Sequence, residues 1–245
     1  MITGFDANVA RELTHFVERE RHGRRIAIFD ADGTLWRGDV GEAFFKHQIE
    51  RGTVPRAPKK DPWQAYLTEA LEGETAKAYG WLAQWNAGVE EADLMRWCDE
   101  FFRDSWTKFV FEPMREFTHT LLNSGFEVWV ITGSPRWIVQ AGVKGFGIPS
   151  DRVLGSSVVV EKGILTDRIE NEVPYRAGKA RLVEKIIAGT PAFVAGNTYW
   201  DKEMMLMASE MAFAVCSEDK GEVNHESEER LQRLAETNKW LTQRF

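Results

Sequence analysis

A doubly wound, mostly parallel α/β sheet interrupted by one all-helical insertion is the fold this sequence predicts, and three observations predict it. Short, wholly apolar runs, Ile26-Ala27-Ile28-Phe29 first among them, suit strands covered on both faces. From Glu112 onward such runs alternate with helical patterns, an order that gives right-handed crossovers and a parallel sheet. Between Trp36 and Phe111 the alternation stops, and helical periodicity takes over with no convincing strand.

Residues 6–22 carry Val9, Leu13, Phe16 and Val17 at helical spacing ahead of Gly23, which predicts an amphipathic helix leading into the first strand. Residues 40–51 read as helix, 52–62 as a link holding Pro55, Pro58 and Pro62, and two further helices are expected over 63–86 and 90–104. Pro113 suits a first helical turn; that helix runs to Asn123, closes at Ser124-Gly125 and hands over to a strand from Phe126 to Thr132. A helix from Pro135 to Phe146, a hairpin from Arg152 to Ile169 turning at Lys162-Gly163, and a helix from Gly178 to Gly189 follow. Strands are expected from Pro191 to Gly196 and from Met211 to Val215, then a charged loop and a surface helix containing Leu231, Leu234, Trp240 and Leu241. The expected division is a core of residues 1–36 and 112–245 around a helical cap at 37–111.

With 245 residues, 43% hydrophobic and 28% charged, the chain can bury a sizeable core. Its net charge of −7, without Lys/Arg blocks, makes it a poor binder of nucleic acid or anionic membrane, so any affinity for phosphate must be local. Cys98 and Cys216, with no Cys-x-x-Cys and no paired His, fit reduced thiols in a cytoplasmic protein. The start, Met1-Ile2-Thr3-Gly4-Phe5-Asp6, lacks the pattern of a targeting leader, and no apolar run approaches membrane-spanning length.

The first strand ends in Asp30-Ala31-Asp32-Gly33-Thr34, and ligands of parallel sheets bind beyond the carboxyl ends of the strands. Gly33-Thr34 signals a turn, so the two carboxylates are expected to point differently. One can then attack phosphorus while the other handles the leaving group's proton. Asp-x-Asp-Gly also opens calcium loops, but the preceding strand and the missing closing Glu disfavour that reading. Thr132-Gly133-Ser134 is expected at a strand-to-helix turn, offering a hydroxyl and free N–H groups to a phosphate oxygen; a plain helix cap by Ser134 is the alternative. Lys179, after Gly178, can neutralise charge developing on a phosphate or be a solvated surface residue. A Walker loop is ruled out there, since Val173 and Ala180 stand where Gly and Ser/Thr are required.

The first motif resembles the Asp-x-Asp-x-Thr run of the haloacid dehalogenase superfamily, and three later tracts follow in that family's order. Thr132 falls at its phosphate-binding hydroxyl position, and the tract from Gly178 to Ile186 resembles its lysine motif as phosphoserine phosphatases carry it. Gly196-Asn197-Thr198-Tyr199-Trp200-Asp201 is similar to its Gly-Asp-x-x-x-Asp, with Asn197 in place of the first Asp, ordinarily a magnesium ligand. The resemblance implies a Rossmann-like core with a helical cap and a Mg²⁺-dependent phosphatase acting on a small-molecule phosphomonoester. It implies Asp30 as nucleophile, Asp32 as acid/base, Thr132, Gly133 and Lys179 at the phosphate, and Asp30, Asp32, Asn197 and Asp201 around the metal. A phosphomutase, or a non-catalytic phosphate- or partner-binding member that has lost its metal, are the alternatives. Restoring Asp at 197 is expected to raise magnesium affinity.

Within the same resemblance, Asp39 falls where phosphoserine phosphatases place a Glu against the substrate amine. No Arg lies between Arg56 and Arg96 to meet a serine carboxylate, whereas the cap is rich in aromatics: Trp63, Tyr66, Tyr79, Trp81, Trp85, Trp97 and Trp106. Such rings either form the cap's own core or, beside a carboxylate, bind an amine by cation–π attraction. The second option points to a phosphorylated amino-alcohol, phosphoethanolamine or phosphocholine, over phosphoserine.

Overall fold

The protein is described by a computed structural model covering residues 2–20 and 22–245; Met1 and position 21 of the expected first helix lie outside the described residues. Helix α1 (Ala7–Glu18) buries Val9, Leu13 and Phe16 and delivers the chain to β1 (Ile26–Phe29), buried at every position. The insertion then contributes α2 (Val40–Arg51), α3 (Pro62–Glu72), α4 (Thr75–Gln84) and α5 (Glu91–Phe101), the last extended by a π-helical turn at Phe102–Trp106. Alternation resumes with α6 (Glu112–Asn123), β2 (Glu127–Pro135), α7 (Arg136–Val143) and β3 (Val153–Ser156), then the hairpin β4 (Val158–Glu161) and β5 (Ile164–Ile169). Helix α8 (Ala177–Leu182), β6 (Phe193–Gly196), α9 (Lys202–Met205), β7 (Met211–Cys216), α10 (His225–Asn238) and β8 (Leu241–Arg244) complete the chain.

The main sheet runs β3-β2-β1-β6-β7-β8, with every neighbouring pair parallel. From β1 the chain winds outward through β2 to β3, then returns to the other side of β1 as β6 and winds away through β7 to β8. The crevice beyond the carboxyl ends of β1 and β6 is thus the point where winding reverses, the usual ligand position in such sheets. Strand alternation splits the core in two. Ala27 and Phe29 face α1 and α6, while Ile26 and Ile28 pack with Leu182, Met204 and Leu231 on the other face.

The insertion has a small apolar cluster of its own, in which Phe45, Tyr66, Leu82 and Trp85 are buried together. Phe44, Leu94, Cys98 and Phe101 instead belong to the same cluster as β1 and β2, so α2 and α5 root the insertion in the core. No helix among the described residues is long and apolar enough to cross a membrane.

Four expectations are corrected. Residues 63–86 form two helices, because Gly73 leaves helical geometry (φ −111°, ψ −133°). The strand expected to end at Thr132 continues to Pro135: the residue before a proline is pushed to extended backbone, which keeps Ser134 in the strand. The expected hairpin gives up its first strand, β3, to the main sheet. The final helix stops at Asn238, where Lys239 turns left-handed (φ 56°), and Leu241 lies in β8 instead. Lys is an unusual residue for that conformation, so nothing in the local sequence announces the stop.

Phe193, fully buried on β6, meets Phe16, Phe29 and Phe117 at ring-centroid distances of 5.6, 5.3 and 5.3 Å. Phe193→Ala should therefore cost roughly 3–5 kcal/mol, read as a lowered urea midpoint at unchanged slope.

Candidate active site

Asp30 leaves β1 with its amide donating to the Ala195 carbonyl of β6 at 2.9 Å, which sets its side chain over the crevice. The chain then turns: Thr34 and Leu35 donate backbone N–H groups to the Ala31 carbonyl, and Gly33 sits at φ +73°. The turn swings Asp32 away from Asp30, as the sequence implied. Asp32 Oδ1 accepts from Trp36 Nε1 and the Val40 amide, both at 2.8 Å, and Oδ2 accepts from Ser134 Oγ at 2.6 Å. Ser134 thus acts on a carboxylate rather than capping α7.

Lys179 is buried and bridges two carboxylates, donating to Asp30 Oδ1 at 2.5 Å and Asp201 Oδ1 at 2.6 Å. The other Asp201 oxygen accepts from the amides of Asn197 and Thr198 and from the Thr198 hydroxyl, so it clamps the loop after β6. Gly196 makes this possible, since a Cβ there would lie 2.7 Å from the Asp201 Cβ. Burial works against the Lys179 charge, but Asp201 and Asp30 more than offset it and hold the ammonium's pKa above its usual value.

Asp30 is pushed up to about 7 by burial, with Lys179 pulling the other way. Burial, joined by the Asp39 charge, raises Asp32 to about 7 against its three donors. Asp39 caps α2 by accepting from the Glu42 amide at 2.8 Å, and burial followed by the Glu42 charge takes it to about 7 as well. Five acidic residues, Asp30, Asp32, Asp39, Asp201 and Glu218, line the cavity with one ammonium, an excess of carboxyl groups whose charge a bound cation would offset.

All the residues singled out from the sequence, Asp30, Asp32, Asp39, Thr132, Gly133, Lys179, Asn197 and Asp201, line one cavity of about 80 Å³. Thr132, buried, accepts the Ser134 amide on its hydroxyl at 3.1 Å. Asn197 turns Nδ2 away to Glu228 Oε1 at 3.2 Å, which leaves its amide oxygen for the cavity. Asp30, Asp32 and Asp201 all have both carboxylate oxygens engaged, Asp30 by Lys179 and, at 3.2 Å, by the Thr34 hydroxyl, so a cation would share that Asp30 oxygen with Thr34 beside the Asn197 amide oxygen. Among the described residues no group of three or more His, Cys, Asp or Glu is arranged to hold a metal ion.

Sequence reasoning placed Ser134 at the turn or as a cap but not on Asp32, and it missed Glu228 and the walls formed by Tyr175 and Trp200. None sits in a motif position that marks it, and Tyr175 and Trp200 come from loops that only the fold brings together. The cap tryptophans do not reach the cavity: Trp63, Trp81 and Trp85 pack in the cap cluster, and Trp97 and Trp106 against the main core. Tyr79 of α4 is the cap ring that does, closing over Gly133 so tightly that a Cβ there would lie 2.9 Å from the ring.

Gly33 is held twice over, by its positive φ and because a Cβ would come within 1.9 Å of Asn197 Nδ2. Gly23 (φ +87°) has open space around it. Gly33→Ala should cost at least ~1–3 kcal/mol and clearly more than Gly23→Ala, measured by chemical denaturation of both variants.

The chain is 22% identical over 192 residues to a phosphorylcholine phosphatase of Pseudomonas aeruginosa, a match covering 63% of this chain and 55% of that protein. It is 23% identical over 169 residues to a phosphoserine phosphatase of Mycobacterium tuberculosis, covering 65% and 53%. The chain thus spans about half the length of these curated relatives. In fold it is similar to a protein of unknown function from Bordetella pertussis Tohama I (TM-score 0.71, 19% identity, 90% of this chain and 98% of that one). A phospho-aspartyl intermediate analogue of phosphoserine phosphatase is more distant (TM-score 0.51, 20% identity, 80% and 88%). The family model of haloacid dehalogenase-like hydrolases matches residues 27–206, from the strand that delivers Asp30 to beyond the loop that Asp201 clamps; with well over half its length so matched, the chain belongs to that family.

Proposed function

We propose that this chain is a magnesium-dependent phosphomonoester hydrolase that works through an aspartyl-phosphate on Asp30. The observation that carries the reading is the buried Lys179 ammonium bridging Asp30 and Asp201 at the winding reversal, with Asp32 held independently by Ser134. Lys179 and the Thr132 hydroxyl would hold phosphate oxygens and take up the charge that grows on them. An Asp30 oxygen attacks phosphorus as the bond to the ester oxygen breaks, and Asp32 gives that oxygen its proton. Asp32 then takes a proton from water, which attacks the acyl phosphate and frees Asp30.

The residues suit Mg²⁺, which binds through one or two carboxylates and retains waters, better than a cation that demands a full protein cage. Asp30, the Asp32 backbone carbonyl and Asn197 would hold it, while Asp201 would act through Lys179. Bound magnesium would supply positive charge between the nucleophile and the phosphate. The helical insertion serves as a cap, and its Tyr79 forms a wall of the cavity packed over Gly133. Two unpaired thiols, Cys98 and Cys216, fit a cytoplasmic setting.

For the substrate, Asp39 shares the cavity with Tyr79, Tyr175 and Trp200, with Tyr79 and Tyr175 edge to face at 5.6 Å. A carboxylate beside aromatic faces favours a cationic head, so the substrate class we infer is a phosphorylated amino-alcohol. The phosphorylcholine phosphatase among the relatives supports this choice.

Two measurements test these assignments. Asp30→Asn should abolish magnesium-dependent phosphate release from an aryl phosphate while leaving circular dichroism unchanged; phosphate trapped on any other residue would overturn the nucleophile. Asp39→Asn keeps a good helix cap, so it should lower kcat/KM about tenfold (~1.4 kcal/mol) for phosphocholine or phosphoethanolamine and far less for a neutral phosphomonoester. Equal losses on both would remove the amino-alcohol reading.

A further inference from the structure

Behind the cavity lies a carboxylate to which the chemistry above gives no task. Glu228, on α10, is completely buried. Its Oε1 accepts from Asn197 Nδ2 at 3.2 Å and Ser217 Oγ at 2.8 Å, and its Oε2 from the amides of Ser217 and Glu218, both at 3.0 Å. Among the described residues no Lys, Arg or His forms a salt bridge with it, so uncharged donors alone satisfy it. Burying a carboxylate on those terms is expensive, and a purely structural α10 would need none.

The contact explains Asn197. An Asp in this position would set a carboxylate oxygen at 3.2 Å from Glu228 Oε1 with no proton between them. Nor can the side chain swing aside, because Gly33 closes on its other flank, close enough that a Cβ there would overlap Nδ2. The amide therefore has one orientation, nitrogen to Glu228 and oxygen to the cavity.

We propose that Glu228 is a positioning residue that carries, one layer behind the cavity, the negative charge that the family's motif puts at position 197. Asn197 keeps the oxygen donor, and Glu228 supplies the charge and fixes the amide's direction. The charge function rests on the reading of Asn197 as a magnesium ligand; the hydrogen-bonded exchange of roles does not.

The test is a double-mutant cycle on the full chain: wild type, Asn197→Asp, Glu228→Gln, and both together, with thermal unfolding of the magnesium-free proteins and magnesium titration by calorimetry. Without metal, Asn197→Asp should lower Tm by at least about 5 °C, and Glu228→Gln should also lower it. The double variant should recover most of that loss, since a Gln amide can donate to an Asp carboxylate across the same gap. In the titration, Glu228→Gln should weaken magnesium binding about tenfold, and the double variant should return to within about threefold of wild type. Additive Tm losses would overturn the pairing. Tm recovery with magnesium affinity unchanged in Glu228→Gln would overturn the charge role. If wild type binds no magnesium at all, the magnesium reading of the site fails and the charge role with it, an outcome separate from the other two.

Discussion

The structure is organised around one buried ammonium. Lys179 has almost no contact with water and survives there because Asp30 and Asp201 flank it at hydrogen-bond distance. Neither carboxylate would be tolerable at that depth without it. The bridge also joins three separate pieces of chain: the end of β1, the start of α8 and the loop after β6. Sheet winding brings those pieces to one place, and the triad fixes their spacing, so each element that meets the cavity inherits its position from a charge balance.

That balance extends outward in layers. Asp201 spends its second oxygen on the loop that carries Asn197, and Asn197 spends its amide nitrogen on Glu228. On the other side Asp32 is fixed by Ser134, Trp36 and the first turn of α2, which couples the acid/base candidate to both the sheet and the insertion. Such a network places charged groups without relying on flexible side chains, at the cost of stability stored in repulsion among carboxyls.

Much of this was legible in the sequence, for physical reasons that differ by residue. Asp30 and Asp32 stood out because an apolar run ending in two acids has few structural uses, and Gly33 announced the turn that separates them. Lys179 was weaker evidence, visible only through the family order of the motifs. The position of Asn197 was legible, but its meaning was not, because its partner Glu228 lies on a surface-patterned helix where an acidic residue is ordinary. The cap tryptophans misled through composition: rings at helical spacing fill a cluster of their own, and the ring that reaches the cavity is Tyr79. Strand β8 was hidden because helix α10 ends at a left-handed lysine with no glycine to mark it.

The central pairing of β1 with β6 has a consequence for the moment at which the site comes into being. Ala27, Ile28 and Phe29 lie in register with Phe193, Val194 and Ala195, so a strand made early waits for one made late. Contacts so distant in sequence close slowly, after most of the loop entropy has been spent. A nascent chain that has folded its insertion and its first two strands holds Asp30, Asp32 and Thr132 but neither Lys179 nor Asp201. It has acids without their counter-charge. Lys179 on α8 is made next and Asp201 last, after β6, so a chain cut short before α8 retains the motif that marks the family with nothing to hold its charge in place.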